Sequence, residues 1–300
     1  MSPTNGGGAR QRPPDTRAER EYMTISEAFE AYRLVCVFKN QSPKTEENLL
    51  VCKRALLAYF GNPPIRNLSF ELIRMWKTEL EKTRTPETVR NYIIKLRVVL
   101  RYCRNEGIKV IDPETIPVPQ RRDKVPVFIT EEEVTKLITN TGCVRNKAII
   151  SLLYASGVRV SELCRINKED IHDGCFTVLG KGGKARLCFI DQRTQVYLTE
   201  YLNQRTDNQQ ALFTGKHSCD RITPGNVQEI FRYARTKANF TKPIHPHTLR
   251  HSFATNLLRN NANIRYVQTL LGHASLETTQ MYTHVTDNDL KKVYIEHHTV

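Results

Sequence analysis

The sequence lacks the features that would place it in a membrane or mark it for export. No run of eighteen apolar residues occurs in the 300 residues, which excludes a transmembrane helix. The first 22 residues, MSPTNGGGARQRPPDTRAEREY, contain no apolar core and are therefore not a signal peptide. We expect a cytoplasmic protein that has no membrane partner.

Cysteine patterns that would hold a metal are missing as well. None of the eight cysteines forms a C-x-x-C pair, and most of them lie within apolar runs. This favours buried free thiols in a reducing compartment over a zinc site or a disulfide framework. We expect neither a metal nor any other cofactor.

Acidic residues are scarce compared with basic ones. The chain has 31 Asp and Glu against 45 Lys and Arg, which gives a net charge of +14. Such a charge indicates an anionic partner, and nucleic acid is favoured over an acidic protein or a membrane surface. The basic residues are spread along the chain, which favours a folded, nucleoid-associated protein that surrounds DNA.

The composition changes along the first half of the chain predict a tail, a helical domain and a linker. Residues 1–22 are rich in Gly, Pro and Arg and should form a disordered tail, so Met23 is an alternative start to Met1. Residues 23–108 have helical periodicity. Residues 109–126 contain four prolines and, near their end, the cations Arg121, Arg122 and Lys124, which predicts a stiff basic linker before a second domain at 127–300.

Four helices are predicted in residues 23–108. Helix-start signals occur at four places: Thr24 with Glu27, Pro43, Ser69, and Thr85 with Pro86. The fourth helix has a basic face, whose cations repel one another unless an anion joins them. That face carries Arg90, Lys95, Arg97, Arg101 and Arg104. The residues predicted to contact DNA are Lys44, Arg90, Lys95, Arg97, Arg121 and Arg122.

The second domain should be mixed but mainly helical. Thr130 with Glu133 opens its first helix, and AIISLLYA reads as a buried helix. The runs CFTVL and RLCFI flank a Gly-rich turn and predict a β-hairpin or meander. The predicted fold is therefore mainly α with a small antiparallel β-sheet, an α+β protein.

An ordered set of polar side chains in this domain suits metal-free chemistry on a phosphodiester. Fixed cations must meet the charge that grows on the non-bridging oxygens, and the leaving oxygen needs a proton. A covalent attack by the protein would conserve the bond energy for rejoining. The set comprises Arg159, Lys181, His247, Arg250, His273 and Tyr282.

The two earliest members lie at chain turns. Arg159 follows Gly157 at the junction of two helices, where its fork can grip two phosphate oxygens; the alternative is a surface pair with Glu162. Lys181 lies in GKGGKA, where a mobile ammonium can enter a DNA groove and protonate a leaving oxygen. Lys184 competes for that role, and the spacing of a phosphate-binding P-loop is absent.

The later members lie on predicted helices. The three-residue spacing of His247 and Arg250 places both on one face, although His245 and His251 are alternatives. His273 lies at the start of a helix, and Tyr282 follows about two and a half turns later. The pKa of a free phenol is near 10, so nearby cations must favour the phenolate for attack at neutral pH.

Together, LLYASGVRVSEL, GKGGKARL, HPHTLRHSFAT and LLGHASLETTQMYTHV resemble the tyrosine recombinase (phage integrase) family. The likeness is greatest to Xer recombinases and to Xer-like integrases of mobile elements, and it covers about residues 24–300. One departure is Leu49, which stands where a tyrosine is expected, so base contacts of the second helix do not transfer.

The resemblance implies a helical core-binding domain and a catalytic domain that form a C-shaped clamp on duplex DNA. Tyr282 would form a 3′-phosphotyrosyl link, while Arg159 and Arg250 hold the non-bridging oxygens. Lys181 would be the general acid and His247 would assist proton transfer. His273 would hydrogen-bond the phosphate.

The resemblance further implies a homotetramer that exchanges strands through a Holliday junction at a recombination site. The segment after Tyr282 would pack against a neighbouring protomer, and a second recombinase or an accessory protein is a possible partner. Two alternatives are a type IB topoisomerase, which shares this chemistry, and a non-catalytic DNA-binding regulator. A topoisomerase would act as a monomer with little sequence preference.

Overall fold

The computed structural model describes residues 22–120, 127–180, 183–216 and 220–272. The chain divides into two compact units, Met1–Asp123 and Lys124–Val300. Each described unit has its own buried apolar core. The finer domain bounds predicted from the sequence stay predictions.

In its described residues the first unit contains four α-helices, as the sequence predicted. They are α1 (Ile25–Phe38), α2 (Pro43–Phe60), α3 (Phe70–Thr83) and α4 (Pro86–Asn105).

Side chains at the predicted N-caps start these helices. The Thr24 hydroxyl accepts from the backbone N–H of Glu27, and the Glu27 carboxylate accepts in return from the backbone of Thr24. Ser69 and Thr85 cap α3 and α4 in the same way through their hydroxyls. These bonds satisfy backbone donors that a helix leaves without a partner in its first turn.

The core of the first unit lies between the apolar faces of its helices. Trp76 of α3 stacks on Tyr92 of α4 with ring centroids 6.3 Å apart. Leu56, Ile93 and Leu96 are completely buried. Burial of each such side chain contributes about 1.5–3 kcal/mol relative to exposure, so this packing fixes the helix faces that remain outside.

Residues that follow α4 pack back onto the first unit. A 3₁₀ turn spans Pro113–Thr115, and Ile116 is buried against the core. Glu114 binds both Arg97 and Arg101, and Asp112 binds Arg104 at 2.8 Å. The carboxylates that balance the basic face of α4 thus come from the next segment of the chain, where helix periodicity does not reveal them.

The second unit contains seven α-helices and two strands in its described part. In chain order these are α5 (Glu131–Thr139), α6 (Val144–Ser156), α7 (Val160–Leu163), β1 (Cys175–Leu179), β2 (Ala185–Phe189), α8 (Gln192–Asn203), α9 (Pro224–Lys237), α10 (Pro246–Arg259) and α11 (Ile264–Leu271).

Helix α6 forms the centre of the second unit's core. Eight of its thirteen residues are buried on all sides of the helix, which confirms the buried helix predicted from AIISLLYA. It packs against α5, α8, α10 and β2. The helix ends at Gly157, which has a φ of +62°. This left-handed backbone is favourable for glycine, and it turns the chain towards Arg159.

Strands β1 and β2 pair antiparallel, which confirms the predicted hairpin. Val178 lies opposite Arg186, and Phe176 lies opposite Cys188; these four side chains face inward. Leu187 and Phe189 face outward and are about half exposed, at 49% and 53%. The inward face of β2 thus carries a cation, while its outward face carries large apolar groups.

The cysteines are free thiols in the described part of the chain, and five of the seven are buried. Burial raises the pKa of Cys164 and of Cys188 to about 11, so both are protonated at neutral pH. Cys143 is exposed, unlike the buried thiols predicted. None of the helices within the described ranges is long and apolar enough to cross a membrane.

Candidate active site

The candidate site begins at the turn between α6 and α7, where Glu162 organises Arg159. The Glu162 carboxylate accepts the backbone N–H of Arg159 at 2.7 Å and its guanidinium at 2.8 Å. Arg159 is the N-cap of α7, and its side chain is 31% exposed. The guanidinium therefore lies in a fixed position at the surface while the carboxylate beneath it is buried.

Arg186 of β2 holds the same carboxylate from below. Its two terminal nitrogens donate to the two oxygens of Glu162 at 3.0 and 2.6 Å, and its Nε donates to the carbonyl of Leu270 at 2.9 Å. The side chains of Arg186 and Glu162 are each only 5% exposed. This paired geometry is the strongest form of a guanidinium–carboxylate contact.

Two cations determine the charge state of Glu162. Burial alone would raise the pKa of its carboxyl, but the hydrogen bonds from Arg186 and Arg159 hold that pKa at about 2. Burial alone would lower the pKa of the Arg186 guanidinium, but the hydrogen bonds and the negative charge of Glu162 raise that pKa above its ordinary value. Glu162 and Arg186 are therefore both charged at neutral pH.

Arg250 of α10 joins the same region from a distant part of the chain. Its Nη1 donates to the carbonyl of Gly157 at 2.6 Å, and its Nη2 donates to the carbonyl of Leu271. The residue is 4% exposed. Arg250 thus links the turn before Arg159 to the last turn of α11. Its position on α10 confirms the helix start predicted from HPHTLRHSFAT.

His247 lies near both arginines. Its side chain is exposed, and partial loss of water around the ring and then the positive charges of Arg250, Arg159 and His245 lower the pKa of its imidazole. The ring is therefore neutral at pH 7 and has one nitrogen that can accept a proton. His245 is the N-cap of α10, so the structure distinguishes it from His247 by position.

The glycines that follow α6 and α11 have no room for a side chain. A Cβ added at Gly157 would lie 2.5 Å from Cδ1 of Phe253. Gly272 ends α11 with a φ of +62°, and a Cβ there would lie 3.0 Å from Cδ of Arg186. The close packing of these glycines brings the arginine side chains within reach of the backbone carbonyls.

Three of the six predicted site residues are brought together by the described structure: Arg159, His247 and Arg250. Lys181, His273 and Tyr282 lie outside the described residues. The described chain reaches Gly180 directly before Lys181 and Gly272 directly before His273. Both positions lie next to Arg186, since a Cβ added at either glycine would be within 4 Å of its side chain.

The predicted DNA contacts of the first unit have mixed environments. Lys44 is exposed and pairs with Glu47 at 2.7 Å. Lys95 lines a groove of about 420 Å³ between α2 and α4, together with Asn48 and Asn91. Arg90 is half-buried.

Arg97 of the same predicted set is bound by Glu114 and is 17% exposed on its side chain. Arg121 and Arg122 lie outside the described residues.

A second polar groove, in the second unit, was missed from the sequence. It has a volume of about 620 Å³ and lies along α9, beside the N-terminus of α10. Asn226, Arg232 and Arg235 line it, and His245 closes one end. Amide and guanidinium groups at this spacing can bind phosphate and base edges. Glu229 lines the same groove and pairs with Arg232 at 3.3 Å.

Arg186 and its role at Glu162 were also missed. Glu162 was considered only as a surface partner of Arg159, yet it is buried between two guanidiniums. Nothing in the run ARLCF marks the arginine as inward-facing, because large apolar side chains occupy the alternate positions. In the described ranges, no cluster of three or more His, Cys, Asp or Glu could hold a metal ion.

Comparison with known proteins gives a consistent family. Residues 127–289 match the Phage integrase family. Tyrosine recombinase XerD of Oceanobacillus iheyensis is 38% identical over 232 residues, which are 73% of this chain and 78% of that protein. Tyrosine recombinase XerC of Lactobacillus leichmannii is 35% identical over 301 residues, which are 92% of this chain and 99% of that protein.

Solved structures show the same architecture. The crystal structure of XerA recombinase covers 92% of this chain and 99% of its own, with 27% identity and a TM-score of 0.53. A lambda integrase dimer bound to a COC′ core site covers 92% of this chain and 81% of its own, with 18% identity and a TM-score of 0.76. The second likeness concerns the fold alone.

Proposed function

The chain belongs to the phage integrase family and is a site-specific DNA recombinase of the tyrosine class; we propose that Tyr282 is its nucleophile. In the first step, the phenolate oxygen attacks the scissile phosphorus and the bond to the 5′ oxygen breaks. Lys181 supplies the proton to that leaving oxygen. The protein then carries a 3′-phosphotyrosine, and the free DNA end is a 5′ hydroxyl.

The second step reverses the first with a different strand. A 5′ hydroxyl from the partner duplex attacks the phosphotyrosine, its proton is taken up, and the tyrosine is released. Two such exchanges, separated by a Holliday junction, recombine two sites. No net bond energy is lost, because each phosphodiester is held as a phosphotyrosine between the steps.

One observation carries the proposal: residues from distant segments converge on one place with their charges intact. Arg250 is bonded to the carbonyl of Gly157, two residues before Arg159, although the sequence separates the two arginines by 91 positions. We assign Arg159 and Arg250 to the non-bridging oxygens, where negative charge grows as the phosphorus is attacked. Preorganised donors of this kind contribute about 10²–10³-fold to rate each.

His247 is assigned to proton transfer because its protonation state suits that task. Partial loss of water around the ring and the nearby arginine charges lower the pKa of its imidazole, so the ring is neutral at pH 7. A neutral imidazole can accept the phenol proton of Tyr282 during attack and return it during rejoining. We assign His273 to a hydrogen bond with the phosphate.

We infer a duplex recombination site as the substrate. The XerH recombinase structure contains a palindromic difH substrate, and the lambda integrase dimer is bound to a core site. For this chain, the net charge of +14 and the polar grooves at α2–α4 and α9 favour DNA. We propose a homotetramer on DNA, with a second recombinase or an accessory protein as further partners.

A covalent-trapping assay in EDTA tests this proposal. Nicked duplexes tiled across the DNA that flanks the gene are incubated with the protein and run on a denaturing gel. A nick near the scissile phosphate lets the short 5′-hydroxyl fragment diffuse away, so the phosphotyrosine accumulates. We expect an adduct with the wild type and with Tyr266→Phe, whose tyrosine is 71% exposed on α11, but none with Tyr282→Phe.

An adduct that persists in Tyr282→Phe would contradict the proposal. If flanking DNA gives no adduct, a random-sequence nicked duplex pool is used, and DNA bound covalently to the protein is sequenced. The genomic location of the site separates two roles within the family. Directly repeated chromosomal sites indicate dimer resolution, and a site at an element end indicates integration.

A further inference from the structure

Arg186 is the third guanidinium of the site, and the proposed chemistry does not use it. It is buried, and all three of its described hydrogen bonds go to protein groups, namely the Glu162 carboxylate and the Leu270 carbonyl. A group in this position does not need to touch the phosphate to affect it. Its effect on Arg159 follows from the charges around Glu162.

Glu162 by itself would weaken Arg159. A carboxylate 2.8 Å from a guanidinium forms a neutral pair, and a neutral pair attracts a phosphate far less than a free cation does. Burial strengthens this effect because water does not screen the two charges, and the Glu162 side chain is only 5% exposed. The carboxylate is nevertheless needed to hold Arg159, because it accepts from both its backbone and its side chain.

Arg186 removes this conflict. Both of its terminal nitrogens bind Glu162, so the buried pair Arg186–Glu162 is neutral and the outer guanidinium of Arg159 keeps its charge. Two guanidiniums and one carboxylate leave one net positive charge, and that charge lies on the more exposed partner, 31% against 5%. We propose that Arg186 is a positioning residue that neutralises Glu162, so that Glu162 can orient Arg159 without cancelling its charge.

The second contact of Arg186 joins this charge balance to the chain before His273. Its Nε donates to the Leu270 carbonyl in the last turn of α11, and its side chain lies against Gly272. Arg250 binds the next carbonyl, that of Leu271. Carbonyls at the end of a helix carry partial negative charge, so two cations stabilise the point at which the chain leaves α11.

This inference rests on the proposed function and is tested by the same adduct assay, with rates measured for the wild type and four variants. Arg186→Met removes the cation and keeps a similar volume, and we expect the cleavage rate to fall about 10²-fold. Arg186→Met combined with Glu162→Gln removes both charges of the buried pair and leaves Arg159 cationic. We expect this double variant to cleave about tenfold faster than Arg186→Met alone.

Arg205→Met is the matched control. Arg205 is equally buried at 5% exposure, pairs with Asp207 and donates to three backbone carbonyls elsewhere in the same unit. We expect it to lower the melting temperature without changing the cleavage rate measured well below that temperature. Arg186→Lys keeps the positive charge and serves as the second variant if Arg186→Met folds poorly. We expect its cleavage rate to fall less than that of Arg186→Met.

A second substrate separates charge from shape. A methylphosphonate at the scissile position lacks one negative charge, so its cleavage depends less on the net charge of Arg159. The ratio of the wild-type rate to the Arg186→Met rate should be at least about fivefold smaller on this substrate than on the phosphodiester. The reason is that Arg186→Met removes an electrostatic attraction to the phosphate. A purely structural role would leave this ratio the same on both substrates.

The outcomes separate the inference from the function. A wild-type adduct that requires Tyr282, together with a double variant no faster than Arg186→Met, overturns the role of Arg186 alone. Equal rates for Arg186→Met and wild type do the same. Absence of any adduct dependent on Tyr282 overturns the proposed function and this inference with it.

Discussion

The two units use arginine in opposite ways. On α4, Arg97 and Arg101 share Glu114; the side chains of Arg101 and Glu114 are 51% and 58% exposed, and that of Arg97 is 17% exposed. Around Glu162, the carboxylate and Arg186 are each 5% exposed. Exposed ion pairs contribute little to stability and are screened by salt, whereas a buried pair is fixed in geometry and costly to break.

This difference indicates two tasks for the same side chain. Cations in exposed ion pairs exchange partners easily, so DNA phosphates could replace Glu114 and Asp112 along α4. Buried cations keep their partners and, under the proposed function, set the geometry and charge at a single phosphate. The first arrangement suits general affinity for DNA, and the second suits catalysis.

The largest effect is expected from Arg250→Gln. This change removes a proposed phosphate contact and leaves the carbonyls of Gly157 and Leu271 without their buried donor, so the cleavage rate should fall about 10³-fold. Adduct formation and chemical denaturation measure the two consequences. Arg221→Gln is the control, because Arg221 also donates to two carbonyls, those of Cys164 and Ile166. An equal loss of cleavage in both variants would show that the buried Arg250 has a structural role and not a catalytic one.

Alanine substitution of one glycine in each unit should change stability by different amounts. Gly157→Ala places a Cβ 2.5 Å from Phe253 and strains a backbone with a φ of +62°, so unfolding should become easier by about 3 kcal/mol. Gly107→Ala has a similar φ of +78° but open space, and should cost about 1 kcal/mol. Urea denaturation measures both values. Equal costs would mean that the packing at Gly157 yields easily.

The acid sensitivity of stability should distinguish the buried carboxylate. The pKa of Glu162 is about 2 in the folded protein against an ordinary value of 4.5, so its stabilisation is present above pH 4.5 and is lost as pH falls towards 2. Between pH 7 and pH 3 this loss amounts to about 2 kcal/mol. In Glu162→Gln that part of the pH dependence should vanish, as followed by urea denaturation at each pH. An unchanged pH profile would show that Glu162 is not held by its cations.

The smallest effect is expected from Glu114→Gln. This change frees Arg97 and Arg101 on the surface of the first unit, so DNA affinity should rise about threefold at low salt. Each newly bound phosphate should steepen the salt dependence of binding. Fluorescence anisotropy against salt concentration measures both quantities, with Glu71→Gln as the control, because Glu71 pairs only with exposed Arg74 among the described ion pairs. Unchanged affinity would place α4 away from the DNA.

The helices of both units could be predicted because their signals are local. Thr24, Ser69, Thr85 and Thr130 cap helices through hydroxyls that bond three residues ahead, and Gly157 ends α6 with a left-handed backbone. Such signals involve residues within one turn of each other. The family motifs likewise identified Arg159, His247 and Arg250, which the structure brings together.

The partners of the charged residues could not be predicted in the same way. Glu114 lies 13 and 17 positions from the arginines it binds, and Arg186 lies 24 positions from Glu162 and 84 from Leu270. The hairpin added a further difficulty, since β2 turns Arg186 inward while Leu187 and Phe189 face outward. Simple alternation of apolar residues would favour the opposite face.

The sequence by itself determined the family, the helices, the hairpin and the residues that could meet a phosphate. Local hydrogen bonds, apolar periodicity and motif order carry that information along the chain. Only the tertiary structure decided which cations remain charged towards the surface and which are neutralised beneath it. Coulomb interactions depend on distance and burial, and both are set by packing between segments far apart in the sequence. Glu162 therefore became the buried partner of two arginines through folding.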